Sequence, residues 1–386
     1  MRLSRGSRWF LASLLLVLAA GAAGLWWVDV NLLEEGIEPG QPVEYTVERG
    51  TSVGEVGDDL VELGVVSSGF RFRSVAGDAD LATELQPGIF ELETGMSHED
   101  AVETLAAGPA APLTVRFTVP EGLTVDQTLQ TLAESFEAHE VEDFEAVLDE
   151  RTAAGEIAAD EDDEAALLGT LQLPDWVPEP ADAGDQIEPY EGLFWPETYE
   201  VEDEATPRQI LQRMVDQLIA EFEQLEADLG EDEAIDDRYE LLTVASLVER
   251  ETWVDDERST VAGVIVNRLE EEMPLQIDAT VVYALGGGPR EQVTFDDLEV
   301  DSPYNTYENP GLPPTPISGA GRASLRAAAQ PDDVDFRFYV LDAACDGTHR
   351  FAETGEEHQQ NVEAFREADR CIDQDLGGGP LDEVER

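Results

Sequence analysis

The sequence predicts an α+β protein with an N-terminal transmembrane helix, a run of strand-turn-helix units and a larger mixed α/β domain. Three observations carry that reading: an uncharged apolar run at residues 9–28, a residue spacing that occurs three times between Tyr45 and Leu132, and helical apolar stripes separated by Gly- and Pro-rich turns after Tyr190. Of the 386 residues, 42% are hydrophobic, enough apolar material for packed cores. The 22 basic side chains are all arginine, and 87 acids bring the formal charge to -65. Acidity of this density repels phosphate backbones and excludes nucleic-acid binding. The acids are dispersed through the chain, as in proteins adapted to high salt, where carboxylates stay hydrated and screened.

Residues 1–8 read as cytoplasmic and 9–28, WFLASLLLVLAAGAAGLWWV, as a membrane-spanning helix, since about 20 apolar residues cross the hydrocarbon layer. Arg2, Arg5 and Arg8 precede the run and no acid occurs before Asp29, which orients the N-terminus inward and the body outward. A single-pass cell-membrane protein with an extracytoplasmic body is expected. A cleaved signal peptide is the rival reading, with Ala20-Gly21-Ala22 as the cleavage site, but the apolar run is long for one.

The repeated unit, within residues 41–135, begins at Tyr45, Phe90 and Phe117. Each copy has Gly five residues on (Gly50, Gly95, Gly122), a hydroxyl two later (Ser52, Ser97, Thr124) and a closing Leu (Leu60, Leu105, Leu132). Glycine permits the turn, the hydroxyl caps a helix, and Glu55, Asp100 or Gln127 stands three residues later, where a capping box needs it. Residues 136–189 read as an acidic, Pro-rich linker region and 190–371 as the second domain. In that domain Thr206 caps, Pro207 takes the first turn, and a stripe from Ile210 to Leu229 ends before Gly230. Residues 372–386 read as a disordered tail. Cys345 and Cys371 are able to form one disulfide, and His98, His139, His349 and His358 lack zinc-site spacing, so no metal or other cofactor is expected.

Residues 239–253, YELLTVASLVERETW, read as a helix bearing two glutamates near its end. Glu251 projects between Leu247 and Val248, whereas Glu249 lies beside Ala245 and Ser246. A carboxyl among apolar neighbours resists ionising and becomes able to donate a proton near neutral pH. That argument selects Glu251 as a general acid.

The segments YEGLFWPETY from Tyr190, ASLVERET from Ala245, VIVNRL from Val264, LQIDATVVYALG from Leu275, SPYNTY from Ser302 and GLPPTPIS from Gly311 stand in the order and spacing of one family. Together they closely resemble the YceG-like family of endolytic murein transglycosylases. The resemblance spans nearly the whole extracytoplasmic chain and makes the strand-turn-helix units LysM-like. It implies a membrane-anchored lyase that cuts nascent peptidoglycan strands between N-acetylmuramic acid and N-acetylglucosamine, leaves 1,6-anhydro-muramoyl ends and limits strand length. The family's essential glutamate is the second of its E-x-E-T motif, here Glu251, the residue the helical face also selects. Peptidoglycan strands, the membrane and a peptidoglycan synthase are the implied partners.

Gln276, Asp278, Thr280, Tyr304, Asn305 and Tyr307 offer the amide, hydroxyl, carboxyl and aromatic surface that sugars require, and Glu191 and Trp195 are candidates to line the same cleft. All eight are expected as substrate-binding residues. The chain departs from the family at Ala320-Gly321, where the family has Pro-Gly, and at ACDGTHRF ending in Phe351, which replaces a Gly-Gly-His hairpin. These changes leave Glu251 untouched. The alternating stretch from Phe336 to Leu341 and the stretch His349 to Phe351 still read as a β-hairpin before a last helix, with His349 structural. Two other function classes compete: a lysozyme-like muramidase using water, with Asp278 as partner of Glu251, and a non-catalytic LysM-type wall-binding protein.

Overall fold

The computed structural model describes residues 38–161, 169–180, 188–230, 237–286, 293–344 and 346–368. The expected membrane helix at 9–28, the tail at 372–386, Cys345 and Cys371 lie outside the described residues. Among the described residues, no helix is long and apolar enough to cross a membrane. The architecture is mixed α+β, with small two-stranded sheets joined by many helices. The chain divides into two compact units, residues 1–114 and 115–386.

In the first unit, β1 (Pro42–Val47) pairs antiparallel with β2 (Gly88–Glu93), Pro42 opposite Glu93 and Val47 opposite Gly88. Alternation places Tyr45, Val47, Phe90 and Leu92 on the buried face. They pack on α1 (Val53–Glu62), α2 (Gly69–Asp78), α3 (Leu81–Glu84) and α4 (His98–Ala106) through a core that includes Leu60, Phe72 and Leu105. The strand, turn and helix of the repeated unit are formed at β1–α1 and β2–α4, with Gly50 and Gly95 at φ +79° and +75°. Ser52 caps α1 in a complete capping box. At Ser97 the forward bond is made, from Asp100 N–H to Oγ at 3.0 Å.

The third copy, β3 (Thr114–Thr118) and α5 (Val125–Ser135), packs within the second unit. There β3 pairs with β4 (Thr198–Glu202), and Val119 N–H donates to the Glu197 carbonyl at 2.9 Å. Gly122, at φ +80°, turns the chain so that its N–H reaches the Gly319 carbonyl at 2.7 Å while Gly319 N–H returns a bond to Leu123 at 2.8 Å. The expected linker region contains a helix, α6 (Val141–Glu161), which is rich in Ala and Glu and free of proline. The helix α7 (Pro207–Leu229) has the expected Thr206 cap, which Gln209 completes into a capping box, and ends at Gly230.

The centre of the second unit is α8 (Arg238–Glu251), which packs against α9 (Arg258–Glu270), α10 (Asp278–Ala284) and α12 (Arg322–Ala329). A short helix, α11 (Phe295–Leu298), lies in the chain between α10 and α12. The hairpin forms as β5 (Phe338–Leu341) antiparallel to β6 (His349–Ala352), followed by α13 (Gly355–Glu367). Two of the family-like segments meet at Gly192: its φ is +78°, and a Cβ there would lie 2.6 Å from Pro316 Cβ. Gly192→Ala should therefore lower stability by about 2–4 kcal/mol, combining a left-handed backbone penalty with overpacking. A denaturant titration checks this, and an unchanged midpoint would show that the contact yields freely.

Candidate active site

The helix α8 stops two residues short of the sequence expectation. Thr252 leaves helical geometry at φ -118° and turns its hydroxyl back to the Val248 carbonyl at 2.6 Å, which makes Glu251 the last helical residue. The side chain of Glu251 projects beside Leu247 and Val248, both fully buried, yet the residue itself is only half-buried. It is enclosed but reachable. Tyr339 of β5 donates its hydroxyl to Glu251 Oε2 at 2.8 Å, and the Ala279 N–H in the first turn of α10 donates to the same carboxyl. Burial, reinforced by the Asp278 charge, pushes the Glu251 carboxyl up to about 7, against the pull of the Tyr339 and Ala279 donors and of Arg250.

Glu249 has the opposite surroundings. Two residues along a helix is a rotation of about 200°, so it faces α12 rather than α10. Its carboxylate, 8% exposed, pairs with Arg258 at 3.2 Å and accepts from Ser324 Oγ at 2.8 Å and from Gly321 N–H at 3.1 Å. Gly321 is the residue before α12, so Glu249 helps to cap that helix and ties α8 to it.

Asp278 opens α10 and is 4% exposed. Its Oδ1 accepts the Tyr307 hydroxyl, while Oδ2 is buried without a hydrogen-bond partner. Burial raises its carboxyl to about 6, with Tyr307 pulling the other way. Gln276, two residues earlier, has an exposed side chain and a left-handed backbone at φ +50°. That strain is held by Gln276 N–H to the Thr306 carbonyl at 3.2 Å and by Ile277 N–H to Thr306 Oγ1 at 3.0 Å. Gln276, Asp278 and Tyr307 thus lie on the segments around Glu251.

The other candidates point inward. Thr280 is fully buried and bonded to Thr306 at 2.9 Å. Asn305, also fully buried, donates to the Leu298 and Val300 carbonyls at 2.8 and 3.0 Å and so locks the loop before it. Tyr304 bonds Thr315 at 2.7 Å, and Trp195, 3% exposed, lies in the core. Glu191 is a buried strut: it accepts from the first N–H of α5, Val125, at 3.1 Å, and from Tyr283 of α10 at 2.9 Å. These side chains shape the walls that carry Glu251 and Asp278. Tyr339 was missed from the sequence, where only strand alternation marks it.

Burial raises Glu191 to about 8. A carboxyl raised in the fold contributes stability below its usual 4.5 and loses it as pH climbs through about 8. Glu191→Gln keeps an acceptor for Tyr283 without that titration. The melting temperature of the parent protein should fall relative to Glu191→Gln across this window, and parallel curves would refute the burial argument.

The YceG-like family model matches residues 45–364. The endolytic murein transglycosylase of Bacillus subtilis is 30% identical over 324 residues, covering 84% of each chain. That of Streptococcus pneumoniae, serotype 2, is 30% identical over 376 residues, and the match takes in 92% of this chain and 64% of the longer relative. Among solved structures, a YceG-like protein from Listeria monocytogenes is similar with a TM-score of 0.51 at 28% identity, covering 83% of this chain and 98% of that one. A helix ending in an enclosed glutamate, braced by the hairpin and by the helix that begins at Asp278, thus accompanies a match over most of the chain, and the protein belongs to the YceG-like family.

Proposed function

We propose that this chain is an endolytic peptidoglycan lyase, with Glu251 serving in turn as acid and base. The observation that carries the reading is a half-buried carboxyl, hydrogen-bonded by Tyr339 and raised by burial to about 7, while its neighbour Glu249 is tied up in an ion pair. Protonated Glu251 gives its hydrogen to the glycosidic oxygen as the bond from that oxygen to C1 of N-acetylmuramic acid breaks. The C6 hydroxyl of the same sugar then bonds to C1, and its proton passes to the Glu251 carboxylate, which restores the acid. No water enters the products, and the attacking group is already tethered, so its effective concentration is high. A 1,6-anhydro end results.

Gln276, Asp278 and Tyr307 are placed to meet the sugars or to stabilise the positive charge that develops at C1. Thr280, Tyr304, Asn305, Glu191 and Trp195 support them from within. Asp278 makes a poor second carboxylate for lysozyme-type chemistry, since it is buried and one oxygen is occupied by Tyr307. On this reading the apolar run at 9–28 tethers the enzyme to the cell membrane, beside a synthase whose strands it shortens.

Mass spectrometry of digested glycan strands should find anhydro ends. Reducing ends would favour the muramidase, and intact strands the wall-binding protein. Glu251→Gln should lower turnover by about 10²- to 10⁴-fold with the fold intact, whereas Glu249→Gln should chiefly lower the melting temperature. Retained turnover in the first variant with loss in a folded second variant would reverse the assignment. Because the acid must be protonated, kcat/KM should decline as pH rises through about 7, tracking the raised Glu251 carboxyl; a rate that instead climbs through this range would exclude Glu251 as the proton donor.

A further inference from the structure

The β5–β6 hairpin carries none of the segments on which the family resemblance was read. Its Tyr339 nevertheless reaches the central carboxyl across 88 residues of sequence. We propose that Tyr339 is a positioning residue for Glu251: its hydroxyl fixes Oε2 as the accepting oxygen, leaves Oε1 to carry the transferable proton, and holds the carboxylate for its return as base. The proposal rests on Glu251 being the acid and base of the reaction.

A neutral carboxyl has one accepting oxygen and one that bears hydrogen, and a donor fixed at 2.8 Å from Oε2 selects between them. The phenol is itself held on several sides. His349 of β6 stands edge-on to the Tyr339 ring, with centroids 5.4 Å apart and planes at 82°. Glu257 anchors that histidine twice, at its Nδ1 (2.9 Å) and at its backbone N–H (3.0 Å). On the other flank Arg268 of α9 donates to the Arg337 carbonyl at 2.6 Å and lies over the Phe338 ring at 5.2 Å, which pins the start of β5. The charged and titratable groups facing Glu251 are Tyr339 from β5, Asp278 from α10, Arg268 from α9, Tyr307 from the segment between α11 and α12, and Arg250 from its own helix. Tyr307 and Arg268 also face Tyr339. Burial and the Glu251 charge hold the Tyr339 phenol well above its ordinary value, so it keeps its proton and serves only as a donor.

The test is a carbon-13 titration of the Glu251 carboxyl in the full chain, assigned by its absence in Glu251→Gln and run beside pH profiles of kcat/KM. Tyr339→Phe removes a donor that favours the charged form, so the titration and the falling limb of the profile should both move up by about one pH unit. Turnover should fall on the order of tenfold. Replacing Tyr339 with 3-fluorotyrosine, a stronger donor of nearly the same shape, should move both down, and this arm decides the matter if Tyr339→Phe does not fold. A folded variant with an unmoved titration would overturn the positioning role while leaving Glu251 as the acid. Full activity in Glu251→Gln would instead remove the reading on which the proposal stands.

Discussion

The partial withdrawal of one carboxyl from water is the constraint around which the site is arranged. Fully solvated, Glu251 would be an ionised acid at neutral pH; stripped of donors, it would hold its proton too tightly. Apolar packing by Leu247 and Val248 pushes it one way, and the Tyr339 hydroxyl and Ala279 N–H pull it back. The three groups come from a helix, a hairpin and the start of a second helix. The balance therefore exists only when those elements are assembled.

The scaffold supports this balance by giving two nearby glutamates partners of their own. Glu249 is spent on Arg258, Ser324 and the N-terminus of α12, and Glu191 on the N-terminus of α5 and on Tyr283. Because Tyr283 belongs to the helix that begins with Asp278, the second strut also orients the first turn of α10.

The features legible in the sequence are those set by local chemistry. The Gly turns, the Ser52 and Thr124 boxes, the Thr206 start of α7 and the face occupied by Glu251 all follow from residues within one or two turns. The hairpin was legible from alternation, but its reach to Glu251 was not, since strand periodicity names a face and not its distant neighbour. Asn305, Tyr304 and Trp195 illustrate a different difficulty. Amides and aromatics suit a sugar cleft and also a buried loop that must satisfy its carbonyls, and composition does not separate the two uses. The helix α6 was obscured by acids and prolines farther along the predicted linker.

The reciprocal backbone bonds between the Gly122–Leu123 turn and Gly319 bear on how the protein can be divided. By sequence period, the third strand-turn-helix copy goes with the first two. By its hydrogen bonds it belongs to the module that houses Glu251, since Arg250, one residue before that glutamate, also donates to the Gly122 carbonyl. A truncation made after residue 135 would tear out part of the scaffold around Glu251. The division between the two compact units falls at Thr114, ahead of that copy rather than behind it.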